Sequence, residues 1–261
     1  MTRRRLDAEL VRRKLVRSRT EAQRAIDAGL VRVGTNPSPK AATMVAPDEA
    51  LHVVAPPEPF VSRAGRKLDG ALDLFGVETK DREAVDVGAS TGGFTDCLLQ
   101  RGAESVVAVD VGYGQIDWSL REDDRVTVVE RTNIRLADIN ALGAPFDVVV
   151  ADLSFISLQT VAHALRALGD TGTDWILLIK PQFEAGKERV GKGGIVRDPE
   201  VWRDVLVAVT EALASEGLGC HGLAVSSISG TQGNKEFVGH FTTGPQVVVA
   251  LDIDSVVEEA S

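Results

Sequence analysis

The 261-residue chain carries 29 Lys and Arg against 38 Asp and Glu, a formal net charge of −9, and contains only two cysteines. No apolar run approaches the roughly 20 residues that a membrane-spanning helix needs, and the charged N-terminal segment MTRRRLDAELVRRK lacks the apolar stretch of a signal peptide. Two cysteines give neither a disulfide framework nor metal-ligand spacing. We therefore expect a cytoplasmic protein with no membrane segment and no metal.

Charge is distributed unevenly along the chain. Residues 1–67 hold 14 basic and 7 acidic residues, a net of +7, whereas the other 194 hold 15 and 31, a net of −16. Such asymmetry indicates a basic binding module attached to an acidic body. The alternative is a charged helix that is merely solvated.

Hydrophobic periodicity predicts a small α+β unit at the N-terminus. RLDAELVRRKL places Leu6, Leu10 and Leu15 on one stripe of a helix. A second helix, SRTEAQRAIDAG, has Ser18 as its predicted cap and Gly29 as its stop. LVRVG and ALHVV then fit short strands, and PPEPF fits a linker.

From Ala84 onward, apolar strand-like runs alternate with helical patterns. The runs are EAVDVG, SVVAVDVG, RVTVVE, FDVVVADLSF, DWILLIK, CHGLAVSSI and KEFVGHFTT. Val-rich runs separated by helices are typical of a mostly parallel sheet covered on both faces, a doubly wound α/β fold. Ligands of such folds bind beyond the carboxyl ends of the strands. The acidic end of the chain, DIDSVVEEAS, is expected to form either an extra strand or a loose tail.

The first of these strands runs into a glycine-rich turn, DVGASTGGF. A Walker loop would need a Gly-Lys-Ser/Thr ending, and a dinucleotide site would need glycine where Ser90 stands. S-adenosylmethionine has no phosphate and tolerates a looser loop, and an acid at the end of the second strand suits its ribose. That acid suits NAD equally, and the glycines alone would also allow close packing of strand and helix. The predicted cofactor-binding residues are Gly88, Ser90, Thr91, Gly92 and Asp110, with Phe94 and Asn133 close by.

Two charged residues end neighbouring apolar strands. Asp152 follows FDVVVA, and Lys180 follows DWILLI. A lysine at such a place is costly to bury unless it is neutral or paired, and Asp152 is the obvious partner. The two residues form either a simple ion pair or a site in which a neutral lysine deprotonates a hydroxyl beside a methyl donor.

Other methyltransferase chemistries fit less well. Methylation of an exocyclic base amine typically uses Asn/Asp-Pro-Pro-aromatic at the fourth strand tip, where this chain has DLSF. Methylation of a pyrimidine carbon usually needs a cysteine nucleophile near the site, whereas Cys97 and Cys220 fall in predicted core positions.

Several segments of the chain together resemble the TlyA/hemolysin A family. They are, in order, SRAGRKL (62–68), DVGASTGGFTD (86–96), DVGYGQ (110–115), ERTNIR (130–135), ADLSFISL (151–158), LIKPQFEAGK (178–187) and GNKEF (233–237). The N-terminal RLD…SR…A…G.V.V pattern is similar to the small RNA-binding domain named after ribosomal protein S-four. The combination is specific, whereas no single segment is.

The resemblance implies S-adenosylmethionine-dependent methylation of the ribose 2′-hydroxyl of cytidine in small-subunit or large-subunit ribosomal RNA, or in both. It implies an S-four-like RNA-binding domain at 1–55, a linker at 56–62, a Rossmann-like, FtsJ-like methyltransferase domain at 63–246 and an acidic extension at 247–261. FtsJ-type enzymes use a Lys-Asp-Lys-Glu catalytic set, which by motif falls on Lys67, Asp152, Lys180 and Glu236.

Ribosomal RNA or ribosomal subunits are therefore the expected partners. The basic N-terminal residues are expected to contact mainly phosphates, which fix position without reading sequence: Arg3, Arg4, Arg5, Arg12, Arg13, Arg17 and Arg19. Several relatives carry an Arg-x-Trp-Val linker where this chain has EPFV at 58–61, which puts their interdomain coupling in question here. The hemolysin name implies membrane lysis, but no segment resembles a pore former.

Two other functions compete with methyl transfer. One is a non-catalytic RNA-binding ribosome-assembly factor, in which the glycine loop holds a cofactor only for structure. The other is a pseudouridine synthase, which often shares the N-terminal module but needs a second RLD-like motif in its main domain. The only RLD of this chain is at residues 5–7, in the small domain.

Overall fold

The structure is a computed structural model that describes residues 3–16, 19–35, 39–54, 59–230, 233–243 and 253–261. The chain divides into two compact units, Met1–Glu58 and Pro59–Ser261. Within the described ranges, no helix is both long enough and apolar enough to cross a membrane.

The N-terminal unit is a small α+β domain with two short antiparallel strand pairs. β1 pairs with β3, and β2 pairs with β4. Leu6 and Leu10, predicted on the apolar stripe of the first helix, are fully buried in the core of this unit. Its elements are β1 (Arg4–Arg5), α1 (Leu6–Arg12), α2 (Arg19–Asp27), β2 (Val31–Val33), β3 (Met44–Val45) and β4 (Leu51–Val53).

The first helix ends earlier than its periodicity predicts. Lys14 adopts a left-handed φ of 57°, and the Leu15 N–H bonds to the Leu10 carbonyl instead of continuing the helix. Leu15 is therefore 40% exposed, and Val16 is buried in its place. The prediction that Leu15 lies on the buried stripe is wrong.

Some predictions fall outside the described residues. They concern the helix cap at Ser18, the basic residue Arg17, the linker residues 56–58 and the first part of the C-terminal extension, 247–252.

The second unit is an α/β domain with a seven-stranded sheet. Its strands are β5 (Glu83–Val87), β6 (Ser105–Val109), β7 (Val126–Val129), β8 (Val148–Ala151), β9 (Asp174–Ile179), β10 (Leu218–Val225) and β11 (Phe237–Thr243). Its helices are α3 (Ala64–Phe75), α4 (Gly93–Gln100), α5 (Trp118–Arg121), α6 (Leu158–Ala167), α7 (Pro181–Glu184), α8 (Pro199–Ser215) and α9 (Ile253–Ala260), with 3₁₀ turns at Ile134–Leu136 and Lys187–Arg189.

The sheet has the strand order β10-β11-β9-β8-β5-β6-β7. Strands β5 to β9 pair in parallel, whereas β11 is antiparallel to both of its neighbours. The predicted mostly parallel sheet is confirmed. From β5 the chain moves outward through β6 and β7 and returns to β8 on the other side of β5, so the order reverses between β5 and β8. Ligands of doubly wound folds bind at such a reversal.

Both faces of the sheet are covered, as the Val-rich strands require. One face packs against α3 and α4 through side chains that include Leu68 and Leu98, which are fully buried. The other packs against α6 and α8 through side chains that include Leu165 and Leu206. The rigid sheet and its two layers of helices fix the strand ends at which the site lies.

The C-terminal segment forms a helix, so the prediction of an extra strand or a loose tail is wrong. Val257 and Ala260 are three positions apart, lie on the same helical face and are buried in the core cluster that includes α8. Arg203 of α8 donates to the Asp254 carboxylate of α9 (2.7 Å). Apolar surface at a helical spacing comes from Ile253, Val256, Val257 and Ala260, and the acidic composition of the segment conceals it in the sequence.

Candidate active site

The glycine loop between β5 and α4 is shaped by close contacts with the protein itself. Gly88 has φ 88°, and a Cβ there would lie 3.0 Å from the Asp152 carbonyl oxygen. Gly92 has φ 93°, and a Cβ there would lie 2.2 Å from Cδ1 of Leu120. Glycine is required at both positions, and at Gly88 it brings the loop against the tip of β8.

Two adjoining cavities open at this loop. The larger, of about 590 Å³, is lined by Gly88, Ser90, Asp110 and Asn133 among the predicted cofactor residues. The smaller, of about 270 Å³, is lined by Gly88, Ser90, Thr91 and Phe94 and by all four predicted catalytic side chains. Gly92 lines neither cavity, because it packs against Leu120.

The carboxylates of Asp86 and Asp110 bond to backbone N–H groups in the glycine loop and the helix that follows it. Asp86 is fully buried; its Oδ2 accepts from the N–H (2.9 Å) and hydroxyl (2.7 Å) of Thr95, while its Oδ1 has no hydrogen-bond partner among the described residues. Burial raises the pKa of Asp86 to about 7, and the negative charges of Asp152 and Asp110 add to this. Asp110 accepts from the N–H groups of Ser90 (2.8 Å) and Gly112 (2.6 Å), which fixes its side chain.

The four predicted catalytic side chains come together at the carboxyl edge of the parallel strands. Lys67 lies on α3, Asp152 and Lys180 directly follow β8 and β9, and Glu236 directly precedes β11. Nζ of Lys67 is 2.6 Å from Glu236 Oε2 and 3.7 Å from Asp152 Oδ2. Nζ of Lys180 is 2.5 Å from Asp152 Oδ1 in an ion-pair contact. The side chains of both lysines are less than a tenth exposed.

Close helix packing places Lys67. A Cβ at Gly65 would lie 2.4 Å from the ring of Phe60, and a Cβ at Gly93 would lie 2.3 Å from the hydroxyl of Ser62. The two glycines therefore let the first turns of α3 and α4 and the preceding segment approach closely, with Lys67 directed toward β8 and β11. The aromatic residue of the altered linker, Phe60, is thus a core residue of this domain.

Several residues beside this cluster were not predicted from the sequence. Lys180 donates a hydrogen bond to the Ser154 hydroxyl (3.0 Å). Phe155 is 91% exposed, adopts a left-handed φ of 65° and lies against the Phe183 ring, with 5.2 Å between ring centroids. Left-handed backbone in a non-glycine residue is strained and concentrates at functional sites. The clue in the sequence is the polar and aromatic character of DLSF directly after a buried strand.

The predicted RNA-facing arginines differ in how exposed their side chains are and in how many partners within the protein they contact. Asp7 and Glu9 are buried carboxylates that hold several of them; hydrogen bonds from Arg5 to Asp7 and from Arg12 and Arg13 to Glu9 lower the pKa of each carboxyl to about 2. Arg13 also donates to three backbone carbonyls and has a side chain only 22% exposed.

The remaining arginines of that set are more open to a partner. Arg19 reaches Asp7 (2.9 Å) but stays 63% exposed, and Arg3 and Arg4 form no ion pair with any residue in the described parts of the chain. Within those same parts, no cluster of three or more His, Cys, Asp or Glu could hold a metal ion.

Comparisons with known proteins match both units. Residues 60–242 match the family described as FtsJ-like methyltransferase, and residues 4–50 match the S4 domain. Over 236 residues the chain is 50% identical to the 16S/23S rRNA (cytidine-2'-O)-methyltransferase TlyA of Mycobacterium tuberculosis, covering 89% of this chain and 87% of the relative. Over 240 residues it is 38% identical to Hemolysin A of Brachyspira hyodysenteriae, covering 91% and 99%.

A solved structure resembles the whole chain. The structure described as "Putative hemolysin from Streptococcus thermophilus" superposes with a TM-score of 0.75 at 38% identity, covering 100% of this chain and 96% of that one.

Proposed function

The chain belongs to the TlyA/hemolysin A family of FtsJ-like methyltransferases, and we propose that it transfers a methyl group from S-adenosylmethionine to the ribose 2′-hydroxyl of cytidine in ribosomal RNA. The observation that carries the proposal is the buried cluster of Lys67, Asp152, Lys180 and Glu236 beside the glycine-loop cavities. The name of the M. tuberculosis relative supports the choice of cytidine and of ribosomal RNA. Nothing among the relatives favours a non-catalytic RNA-binding protein.

The residues around the loop fit S-adenosylmethionine. Among the described residues, Asp110 and Asp152 place negative charge at the larger cavity, whose lining includes no lysine or arginine, and the buried Asp86 nearby in the chain has an unpartnered oxygen. This surplus suits a cationic sulfonium and opposes the phosphates of a dinucleotide or a nucleoside triphosphate. When bound, the cofactor supplies a methyl group that is already activated on sulfur.

The protein must then align the hydroxyl and take its proton. We assign the base to Nζ of Lys180, which Asp152 and Ser154 hold in place. Lys67 contacts two carboxylates, whereas Lys180 contacts one carboxylate and the Ser154 hydroxyl, so Lys180 is the better candidate for the base. Glu236 holds Lys67 in place.

The N-terminal domain supplies the RNA contact in this proposal. It matches the S4 domain and carries exposed arginines at Arg3, Arg4 and Arg19. Ribosomal RNA or ribosomal subunits are the proposed partners, and contacts to phosphates would position the protein on this RNA without reading its sequence.

The experiment is methyl transfer by the purified protein from labelled S-adenosylmethionine to small and large ribosomal subunits that lack these modifications, with the methylated nucleotides mapped by mass spectrometry. We expect 2′-O-methylcytidine, and we expect Lys180→Ala to abolish it while binding of cofactor and RNA persists. Methylation on a base would contradict the proposed chemistry. Full activity of Lys180→Ala would contradict the proposed base.

A further inference from the structure

A carboxylate outside the proposed catalytic set joins the two loops that carry Asp152 and Lys180. Glu184 is the last residue of α7; its Oε1 accepts from the backbone N–H of Leu158 (2.7 Å), and its Oε2 accepts from Nε2 of Gln159 (3.1 Å). Burial raises the pKa of Glu184, while these hydrogen bonds act to lower it. Both carboxylate oxygens of this half-buried residue bond to α6, so Glu184 helps to hold that helix in place.

Glu184 caps α6 from outside that helix. The first N–H groups of a helix have no partner within it and usually bond to the side chain of the N-cap residue. Here the N-cap residue, Ser157, makes no such bond, and the Leu158 N–H is taken by Glu184 instead. The start of α6, and therefore the end of the loop that begins at Asp152, is fastened to the helix that begins after Lys180.

The two segments meet at further points along their length. Lys180 contacts the carboxylate of Asp152 (2.5 Å) and donates to Ser154 (3.0 Å), and the Phe183 and Phe155 rings lie 5.2 Å apart. The Glu184 contact is at the end farthest from the catalytic pair. The opposite end of the loop is held by the Asp152 N–H, which donates to the Val87 carbonyl (3.2 Å).

We infer that Glu184 is a positioning residue for methyl transfer, which holds residues 152–158 against residues 180–184 and thereby sets the contact between Asp152 and Lys180. The inference rests on the proposed function, in which Lys180 is the base. Glu184 touches neither proposed ligand site: its oxygens bond to α6. Its effect on the reaction passes through the distance between the two catalytic side chains.

The test compares three substitutions at this position. Glu184→Ala removes both bonds, and Glu184→Asp keeps the charge but shortens the side chain beyond reach of the Leu158 N–H. Glu184→Gln keeps an acceptor for that N–H, and the Gln159 amide can rotate to meet its other end. We expect the Ala and Asp variants to lose turnover by about tenfold or more, since small misplacements of reacting groups have large effects, and the Gln variant to recover most of it. The dissociation constant for S-adenosylmethionine should stay within about twofold, because Glu184 lies outside the glycine loop.

A pH profile separates positioning from simple stabilisation of α6. Lys180 faces the carboxylate of Asp152, which also lies near Lys67, and Lys67 in turn contacts Glu236. The pH dependence of turnover reports on the base in its contact with Asp152, so the profile of Glu184→Ala and Glu184→Asp should differ from that of wild type. Loss of helix stability alone would lower the melting temperature without moving this profile.

Every outcome of these measurements either supports or overturns the positioning role of Glu184. Glu104→Ala, which removes an exposed glutamate elsewhere, is the matched control and should leave turnover and its pH profile unchanged. If the Ala variant does not fold, the Asp and Gln variants decide: wild-type turnover in Glu184→Asp, or no recovery in Glu184→Gln, overturns the inference. An unmoved pH profile overturns it too. Absence of methyl transfer by the wild-type protein would instead count against the proposed function.

Discussion

The ammonium of Lys67 lies 2.6 Å from the carboxylate of Glu236, although the two residues are 169 positions apart in the chain. Their side chains are 7% and 4% exposed. Two charges with so little exposure depend on each other, because a buried charge left without its partner is strongly destabilising.

Glu236→Ala should therefore lower the free energy of unfolding by about 3–5 kcal/mol and abolish methyl transfer. Lys67 would keep only its longer contact with Asp152 (3.7 Å). The measurement is denaturant unfolding together with turnover. The matched control is Lys80→Ala, which removes an exposed pair with Asp81 (4.0 Å) and should change stability by less than about 1 kcal/mol. If Glu236→Ala were as stable as wild type, the buried charge of Lys67 would not depend on Glu236.

Lys180→Arg should separate the role of a base from that of an ion-pair partner. Arginine can pair with Asp152 but stays protonated at any working pH, so it cannot take a proton. We expect turnover to fall by at least about 100-fold, the lower end of what general-base catalysis contributes, while cofactor binding persists. Wild-type turnover should rise with pH as the base loses its proton. Substantial turnover in Lys180→Arg would show that the charge alone is needed.

Asp86→Asn should change how stability depends on pH. Burial raises the pKa of Asp86 from 3.8 to about 7, so between these values the folded protein holds a proton that the unfolded chain releases. Stability from this group is thus complete below about pH 4 and declines as pH rises to about 7, where it levels off, by on the order of 4 kcal/mol at most. Asparagine cannot ionise, so the melting temperature of Asp86→Asn relative to wild type should increase from pH 4 to pH 8.

The same substitution probes the cofactor site. A cationic ligand favours ionised Asp86, so the affinity of wild-type protein for S-adenosylmethionine should increase with pH, and that of Asp86→Asn should not. Isothermal titration calorimetry at pH 6 and pH 8 checks this. Identical pH dependence in both proteins would exclude Asp86 from the binding electrostatics.

Arg3 and Arg4 should contribute to RNA affinity, whereas Arg13 should contribute mainly to folding. Replacing Arg3 and Arg4 by alanine should weaken binding and reduce the magnitude of the slope of log affinity against log salt by about 2 if each contacts one phosphate. Arg13→Ala loses contacts with buried Glu9 and with three carbonyls, so we expect a lower melting temperature of the N-terminal domain. Filter binding over a salt series and circular dichroism are the measurements. An unchanged salt slope would remove Arg3 and Arg4 from the interface.

Much of the fold follows from patterns that the sequence carries locally. Each predicted strand of the main sheet forms, because a long apolar run gains enough from burial to form a strand whatever its exact residues. Asp152 and Lys180 also lie together as expected, since the ends of adjacent parallel strands are neighbours. Two-residue strands such as β1 and β3 are too short to show an alternation of apolar and polar residues. The acidic residues of α9 conceal its apolar face.

The rest of the site depends on relationships between distant segments. Lys67 and Glu236 were expected only from resemblance, because neither stands at the end of a parallel strand. Phe155 and Glu184 were missed because their significance comes from what they contact: an exposed ring on strained backbone, and a carboxylate that caps another helix. Tertiary contacts of this kind leave no periodic signal.

The antiparallel placement of β11 has a consequence for when a newly made chain becomes active. β11 lies between β9 and β10, so β10 has no partner in the sheet until β11, which is synthesised after it, takes its place. Glu236 directly precedes β11, so this member of the proposed catalytic set also joins the others late. A nascent chain that has not reached residue 243 lacks the completed sheet edge and cannot close the contact between Lys67 and Glu236. The order of synthesis therefore makes the contact between Lys67 and Glu236 one of the last parts of the proposed site to form.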